Sequence, residues 1–239
     1  MRRHAKLVAT RTLSPTVREL TIEVAPNPDG TAFTYEAGQY VNLFVPTAGL
    51  TMKRAYSIAS GPGIRGENRF DIAVTKTSSG QASDSLHVHA IDAAYEVEGP
   101  KGGFVRRHPD KPALFIGAGT GLAPLRAMIQ DALKSPSPAD IRLLFGARDE
   151  SHMLWSDDVA TWQASGKVTV DHSLSRSSEG WKGLRGYVQA HAVLQYETMA
   201  KTLAPDVFVC GRTDMVTDVL AALEKHGVDS ASIYAESYT

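Results

Sequence analysis

Hydrophobic and polar residues alternate along short segments of the first half of the chain. Leu20, Ile22 and Val24 fall on one face of the first such segment, as in a strand that is buried on one side only. A helix is predicted over residues 82–90, with Ser83 as its N-cap. Several short strands at this spacing predict a small antiparallel barrel or sandwich. The predicted strands are residues 18–24, 39–45, 55–59, 70–77 and 95–99.

In the second half, short apolar runs alternate with segments of helical spacing. Residues 113–118 form one such run, and residues 122–134 follow it with Leu122, Leu125 and Ile129 at helical intervals. This alternation predicts a parallel sheet with helices on both of its faces. The further apolar runs are residues 141–147, 168–174, 206–211 and 232–237, and the helical segments between them lie within 153–164, 188–200 and 214–227.

A polar, proline-containing segment at residues 108–112 separates the two patterns. We therefore predict two domains, one of residues 1–110 and one of residues 111–239. The expected fold is an antiparallel β-barrel with one capping helix, followed by an α/β domain with a Rossmann-like parallel sheet.

The charge composition narrows the range of functions. The chain has 25 basic and 26 acidic side chains and a net charge of −1, whereas nucleic-acid-binding proteins and proteins that lie on anionic membranes have a basic excess. Its apolar runs are too short for a membrane span or a secretory signal. We expect a cytoplasmic monomer with no nucleic-acid or membrane partner.

Few residues are available for metal or nucleophilic chemistry. The single cysteine, Cys210, excludes a disulfide framework, a four-thiolate zinc site and an Fe–S cluster on this chain. His87 and His89 would point apart on the predicted helix, which argues against a zinc site. The Gly-x-Ser-x-Gly sequence of hydrolases is absent. Neither a metal site nor a hydrolase is therefore predicted.

A glycine-rich turn at residues 117–121 connects an apolar run to the helical segment that follows. Such a turn allows a pyrophosphate to approach backbone N–H groups at a helix N-terminus, where the dipole also favours an anion. Leu122 occupies the position of the third glycine of the usual Gly-x-Gly-x-x-Gly pattern, and the acidic residue expected after the next strand is missing. The turn indicates either a dinucleotide site or a tight connection that binds nothing.

Several motifs follow one another along the chain in a characteristic order. They are Arg54-Ala55-Tyr56-Ser57, Gly80-Gln81-Ala82-Ser83, Gly99-Pro100-Lys101-Gly102-Gly103-Phe104, the turn at 117–121, Cys210-Gly211, and Glu236 with Tyr238. In their order and spacing, the chain resembles the ferredoxin–NADP reductase superfamily over essentially its whole length. The resemblance implies an FAD-binding barrel, an NAD(P)-binding α/β domain, and hydride transfer between nicotinamide and FAD.

The resemblance assigns the FAD site to the first three motifs. The arginine would bind the pyrophosphate, the tyrosine would lie against the flavin, and the serine would hydrogen-bond near flavin N5. Backbone amides of the second motif would hold the other phosphate at the start of a helix. The FAD-binding residues implied are Arg54, Ala55, Tyr56, Ser57, Gly80, Ala82 and Ser83, with Gly102 and Phe104 from the third motif.

The resemblance also implies residues that bind NAD(P)H and react with it. Ser57, Cys210 and Glu236 are the implied catalytic residues, and Tyr238 would shield the flavin. A guanidinium suits a 2′-phosphate, so the basic segment after residues 168–174 favours NADP(H), with NAD(H) as the alternative. The nucleotide-binding residues implied are Gly119, Thr120, Gly121, Ser175, Arg176, Arg185, Cys210 and Gly211.

The expected activity is an NAD(P)H oxidoreductase that exchanges electrons with ferredoxin or flavodoxin, which would be separate chains. Arg106, Arg107 and Lys111 could form part of a docking patch for such an acidic carrier. Two alternatives stay open, a reductase that uses free flavin as substrate and an electron-transfer subunit of a larger complex.

Overall fold

The computed structural model describes residues 2–77 and 80–238, which form two sheets. The elements of the first half are β1 (Arg2–Ser14), β2 (Val17–Val24), β3 (Tyr40–Thr47), β4 (Leu50–Ser57), β5 (Arg69–Thr75), α1 (Gln81–Val88) and β6 (Ala94–Lys101). Their strands form an antiparallel sheet in the order β4-β3-β6-β1-β2-β5. Just beyond β4, the N–H of Ala59 donates to the carbonyl of Asp71 on β5 at 2.7 Å, so the sheet curls until its two edges meet.

The interior of this curled sheet is the apolar face that the alternation predicts. Leu20, Ile22 and Val24 are all buried, together with Leu43 and Val97 of the neighbouring strands. Removing such side chains from water stabilises the fold by about 1.5–3 kcal/mol for each. The antiparallel barrel of the predicted fold class is therefore confirmed.

The long first strand was not predicted from the sequence. Within β1, Ala5 and Leu7 are buried, but a shift of register between Leu7 and Ala9 interrupts the alternation. The outer face of β1 carries charged side chains such as Arg2, which pairs with Glu96. A strand with so few regularly spaced apolar residues gives a weak periodic signal, although β1 lies between β6 and β2 at the centre of the sheet.

The predicted helix in the first half exists, but its predicted cap is wrong. The N-cap of α1 is Gly80, and Ser83 lies within the first turn. Its hydroxyl donates back to the carbonyl of Gly80 at 2.8 Å and contacts the hydroxyl of Thr77 at 3.0 Å. Ser83 therefore joins the helix to the preceding loop instead of capping the helix.

The second half forms a parallel sheet in the strand order β10-β9-β8-β7-β11-β12. Its elements are β7 (Ala113–Ala118), α2 (Leu122–Ala132), β8 (Ile141–Ala147), α3 (Ser156–Ala164), β9 (Val168–Leu174), β10 (Leu184–Arg185), α4 (Ala192–Ala200), β11 (Asp206–Arg212), α5 (Thr213–Lys225) and β12 (Ile233–Tyr238). The chain runs outward from β7 to β10 and then returns to β11. The strand order therefore reverses between β7 and β11, and ligands bind at such a point in open α/β sheets.

Helices cover both faces of this sheet, which confirms the α/β part of the fold class. Phe115 of β7 packs in one core with Leu125 of α2. Leu114 and Ile116 face the other way and pack with Val219 of α5. A strand that is buried on both sides has a continuous run of apolar residues in its sequence. Residues 113–118, which form β7, are such a run.

One apolar core extends from the parallel sheet into the antiparallel one. It joins Ala59, Ala73 and Phe104 of the first half with Ala127 and Met128 on α2. The two sheets thus pack directly through α2. No helix within residues 2–77 and 80–238 is both long and apolar enough to cross a membrane.

Candidate active site between the two sheets

A cleft of about 1150 Å³ opens between the antiparallel sheet and the carboxyl end of the parallel sheet. The turn before α2 and the end of β12 contribute Thr120, Glu236 and Tyr238, and β4 with the start of α1 forms the opposite wall. The first two predicted motifs line that wall with Arg54, Ala55, Tyr56, Ser57, Gly80, Ala82 and Ser83. Residues that are remote in sequence therefore converge on a single cleft.

Two predicted catalytic groups meet inside the cleft. The hydroxyl of Ser57, at the end of β4, donates to Oε1 of Glu236 on β12 at 3.1 Å. Burial raises the pKa of Glu236 above its ordinary value, and the hydrogen bond from Ser57 offsets part of that rise. This bond crosses from one domain to the other, so it forms only when the two sheets are correctly packed.

A chain of hydroxyl groups crosses the same boundary. Thr75 Oγ1 donates to Thr120 Oγ1 at 3.5 Å, and Thr120 Oγ1 donates to the Tyr238 hydroxyl at 3.2 Å. The Tyr238 hydroxyl donates in turn to the carbonyl of Ala118 at 3.3 Å. Burial raises the pKa of Tyr238 to about 12, so its hydroxyl stays protonated at neutral pH. These bonds hold Tyr238 across the end of the parallel sheet.

The glycines of residues 117–121 are required by close packing. A Cβ on Gly121 would lie 2.1 Å from the carbonyl oxygen of Cys210, and one on Gly117 would lie 2.8 Å from Leu125 Cδ1. Gly119 has a φ of +55°, which favours glycine. The turn therefore brings β7 and β11 close together and leaves the first backbone amides of α2 at the carboxyl end of the sheet.

Cys210 is not brought to the surface of the cleft. Its side chain is 0% exposed, and it pairs with Gly117 and Glu236 in the sheet. Burial, together with the negative charge of Glu236, raises the pKa of the thiol far above its ordinary value, so the thiol is protonated. Gly211 is packed in the same way, since a Cβ there would meet Met215 Cε at 2.3 Å. The catalytic role assigned to Cys210 stays a prediction.

The third motif lies beside the cleft and packs against other residues. Gly102 has a φ of +98°, and a Cβ there would lie 3.0 Å from the ring of Tyr40, which lines the cleft. Phe104 is buried and meets Phe208 edge to face, with ring centroids 6.0 Å apart. Phe104 therefore packs across the interface between the sheets, whereas Gly102 packs against β3 within the antiparallel sheet, and neither residue lines the cleft.

A second cavity of about 640 Å³ adjoins the cleft through Thr120 and Tyr238, which line both. Its lining contains Ser175, which the sequence analysis selected, and two arginines that it did not select, Arg148 and Arg212. Arg148 directly follows β8, and Arg212 is the last residue of β11. Position at the carboxyl end of a buried strand was the signal that could have identified them, because ligands bind at this edge of a parallel sheet.

Two other predicted residues have different surroundings. Arg176 is exposed and lies outside the cavity lining; its backbone N–H donates to the carbonyl of Arg148 at 2.7 Å. Arg185 directs its guanidinium into the loop before β10, where it donates to Ser177 Oγ at 2.6 Å and to the carbonyls of Glu179 and Trp181. Arg185 thus shapes the loop beside the cavity instead of lining the cavity.

The residues present fit a pair of dinucleotides. The cleft exceeds the size of most small-ligand pockets, which reach about 1000 Å³, and it combines the aromatic Tyr56 with the exposed cation Arg54. Burial raises the pKa of Tyr56 to about 12. A Cβ on Gly80 would lie 2.1 Å from Thr77 Oγ1 and 2.6 Å from Ser83 Oγ, so only glycine fits at the start of α1.

Comparison with known proteins agrees with this arrangement. The family model for the oxidoreductase FAD-binding domain matches residues 4–105, and that for the oxidoreductase NAD-binding domain matches residues 115–221. Ferredoxin--NADP reductase B of Sorangium cellulosum (strain So ce56) is 43% identical over 241 residues, which cover 98% of this chain and 96% of the relative.

The chain is also similar to more distant proteins. The electron transfer component of anthranilate 1,2-dioxygenase from Acinetobacter baylyi (strain ATCC 33305 / BD413 / ADP1) is 25% identical over 203 residues, which cover 84% of this chain and 57% of that protein. The FAD/NAD-binding domain of nitric oxide dioxygenase from Vibrio cholerae O1 biovar El Tor superposes with a TM-score of 0.85 at 22% identity, covering 99% of this chain and 98% of that domain. The chain therefore belongs to the ferredoxin–NADP reductase family, in which an FAD-binding domain is followed by an NAD-binding domain.

Proposed function

We propose that this protein is an FAD-dependent reductase that passes electrons between NADP(H) and a separate one-electron carrier, ferredoxin or flavodoxin. The observation that carries the proposal is the convergence of Ser57 and Glu236, from opposite sheets, on one cleft. The relative that is 43% identical over nearly the full chain, a ferredoxin–NADP reductase, supports the same activity. We assign FAD binding to residues 1–110 and NAD(P) binding to residues 111–239.

The residues of the first wall would hold FAD. Arg54 offers a planar cation for the pyrophosphate, and the backbone amides at the start of α1, next to Gly80 and Ser83, suit a second phosphate oxygen. Tyr56 presents an aromatic face to the flavin. Bound FAD supplies the two-electron and one-electron chemistry that amino-acid side chains lack.

Residues of this chain would orient the reacting groups and exclude water. Ser57 presents a hydroxyl that both donates and accepts, and Glu236 holds that hydroxyl in place through its hydrogen bond. Tyr238, fixed by Thr120, covers the end of the parallel sheet. A site closed in this way protects a reduced cofactor from solvent.

The adjoining cavity would bind the adenosine end of NADP(H). Arg212 is already paired with Asp214 at 2.8 Å, whereas Arg148 is 3.9 Å from Asp149 and more than half exposed. Arg148 is therefore free to turn toward a phosphate. Ser175, Arg176 and Arg185 were predicted from the sequence to bind the nucleotide. We add Arg148 to them as the cation that binds the 2′-phosphate.

The test of this assignment is reduction of the purified, yellow protein by NADPH and by NADH, followed at the flavin absorbance band. In Arg148→Ala, the KM for NADPH should rise about tenfold to 100-fold, because a hydrogen bond to a charged group contributes about 1.5–3 kcal/mol. The KM for NADH should change little. Lys167→Ala is the matched control, since Lys167 is an exposed cation just before β9, at the amino end of the sheet.

Two results would replace the proposal by an alternative. A colourless protein that reduces added FMN would indicate a free-flavin reductase. A yellow protein that is reduced by NADPH but passes no electrons to added ferredoxin or flavodoxin would indicate a subunit that serves one dedicated partner. Equal changes in KM for both nucleotides in Arg148→Ala would remove Arg148 from 2′-phosphate recognition.

A further inference from the structure

Helix α2 is hydrogen-bonded along one side to the loop that follows β4. Arg126 Nη1 donates to the carbonyl of Ala59 at 2.6 Å, and the N–H of Gly61 donates to Gln130 Oε1 at 2.8 Å. One turn further on, Lys134 Nζ donates to the carbonyl of Pro62 at 2.5 Å. Side chains four residues apart lie on one face of a helix, so Arg126 and Gln130 bind residues 59 and 61 from a single face of α2, and Lys134 binds residue 62 from the turn just after the helix.

The first of these contacts is deeply buried and strongly charged. Arg126 is 2% exposed and lies 3.2 Å from Asp71 on β5 and 2.5 Å from Asp158 on α3. It is also 3.6 Å from Glu19 on β2. Breaking a buried ion pair by removing one partner is costly, so Arg126 holds α2 firmly against the antiparallel sheet.

The second contact sets how closely the loop approaches the helix. A Cβ added to Gly61 would lie 3.1 Å from Gln130 Cβ and 3.2 Å from both the carbonyl of Ala127 and the N–H of Asp131. Those distances are tighter than ordinary contacts between carbon atoms, which are about 3.5–4.0 Å. Glycine at position 61 therefore allows the loop to lie a few tenths of an ångström closer to α2 than a residue with a side chain would allow.

The loop that contains Gly61 and helix α2 are each continuous with one side of the candidate site. Residues 54–57 on β4, which line the FAD wall, end four residues before Gly61. Residues 119–121, at the nucleotide side, directly precede α2, and Gln130 lies about 13 Å further along the helix at 1.5 Å per residue. A displacement of α2 relative to residues 59–61 therefore changes the separation of the two halves.

We propose that Gln130, Gly61 and Arg126 are positioning residues that set the distance between the bound flavin and the bound nicotinamide. The inference rests on the function proposed above. None of the three lines the cleft or the adjoining cavity, so each acts through β4 or α2 and touches neither reacting group.

Three variants test this role, with Gln163→Ala as control. Gly61→Ala adds a methyl group at the contact, Gln130→Ala removes the acceptor, and Gln130→Glu keeps an acceptor oxygen at the same position. Gln163 is an exposed glutamine on α3 that lines neither the cleft nor the adjoining cavity, so its replacement removes the same atoms as Gln130→Ala away from the contact. FAD content and Kd for NADP⁺ should stay within about twofold of wild type in all four, because no ligand contact is changed.

Flavin reduction at saturating NADPH should slow about threefold to fivefold in Gly61→Ala and Gln130→Ala. The expected displacement is a few tenths of an ångström, and a misplacement of about 1 Å costs about 100-fold. The absorbance change of the oxidised flavin on binding NADP⁺ should shrink in parallel. Gln130→Glu and Gln163→Ala should behave like wild type. A wild-type rate and spectrum in Gly61→Ala would overturn the inference, and so would slowing that merely follows lost FAD or lost NADP⁺ affinity.

Hydrogen exchange separates this inference from the proposed function. The amide of Gly61 should exchange at least about tenfold faster in Gln130→Ala than in wild type or Gln130→Glu, because its acceptor is gone and the loop can open locally. Unchanged exchange would overturn the contact itself. Failure of wild-type protein to be reduced by NADPH would instead overturn the proposed function, whatever the exchange result.

Discussion

At the scale of single residues, the candidate site depends on one partly buried carboxyl group. Glu236 lies on the last strand and accepts a hydrogen bond from Ser57. Its pKa is raised by burial because removal from water disfavours the charged form. The ionised carboxylate accepts the Ser57 hydrogen, whereas the protonated acid competes as a donor, so the orientation of Ser57 depends on pH.

The first prediction concerns this pH dependence. As pH falls through the raised pKa of Glu236, the rate of flavin reduction by NADPH should fall, because the protonated acid competes as a donor and Ser57 is no longer held in one orientation. Glu236→Gln should abolish that acid limb, since an amide does not titrate, and should leave FAD bound. The measurement is the pH profile of flavin reduction at saturating NADPH. An acid limb that persists unchanged in the variant would contradict the role of Glu236.

At the scale of elements, the turn before α2 is defined by packing against β11. The backbone of Gly121 lies so close to β11 that a Cβ would be 2.1 Å from the carbonyl oxygen of Cys210 and 2.8 Å from the Cα of Gly211. Gly121 has an ordinary helical φ of −59°, so the requirement for glycine is one of space and not of backbone conformation. The same glycine that fits a phosphate-binding turn is thus needed by the fold itself.

The second prediction is that Gly121→Ala destabilises the protein by about 1–3 kcal/mol through overpacking. For a protein of this size, that loss corresponds to a decrease in Tm of about 2–12 °C. Gly180→Ala is the control, because a Cβ on Gly180 would meet nothing within 4 Å. A Tm for Gly121→Ala equal to that of the control would show that β11 and α2 can separate freely.

At the scale of the whole molecule, charged groups buried between the sheets complement the apolar core. Glu19 accepts from the indole of Trp155 at 2.6 Å and lies near Arg126, while Arg65 donates to Asp71 at 2.7 Å. The side chains of Asp71 and Arg126 are 0% and 3% exposed. Because these groups come from β2, β5, α2, the loop before β5 and the residue that precedes α3, the network connects elements of both halves of the chain.

The third prediction is that Arg126→Met lowers the free energy of unfolding by about 3 kcal/mol, because it removes the fully buried cation of the cluster and leaves Asp71 and Glu19 with the partly exposed cations Arg65 and Arg11. Arg2→Met should cost less than about 1 kcal/mol, since the Arg2–Glu96 pair is largely exposed. Urea unfolding followed by tryptophan fluorescence measures both. Equal losses in the two variants would mean that the buried cluster adds nothing beyond a surface ion pair.

The sequence by itself determined the local structure of most elements and the chemistry of one wall. Alternation along 18–24 and the apolar run at 113–118 predicted strands that the structure contains, because period and burial are read from neighbouring residues. Residues 54–57 were selected together because they are contiguous. The first strand was missed, since its register shift removes the period, and Ser83 was misplaced as a cap because its partners, Thr77 and Gly80, depend on the loop geometry.

Only the tertiary structure decided which distant groups meet. The bond between Ser57 and Glu236 joins residues 179 positions apart, and Arg148 enters the second cavity because strand order places β8 beside β7. The burial of Cys210 and the contact of Gly61 with α2 likewise follow from how the two sheets pack. A hydrogen bond or a close contact acts over a few ångströms, so it depends on packing that no local pattern along the chain specifies.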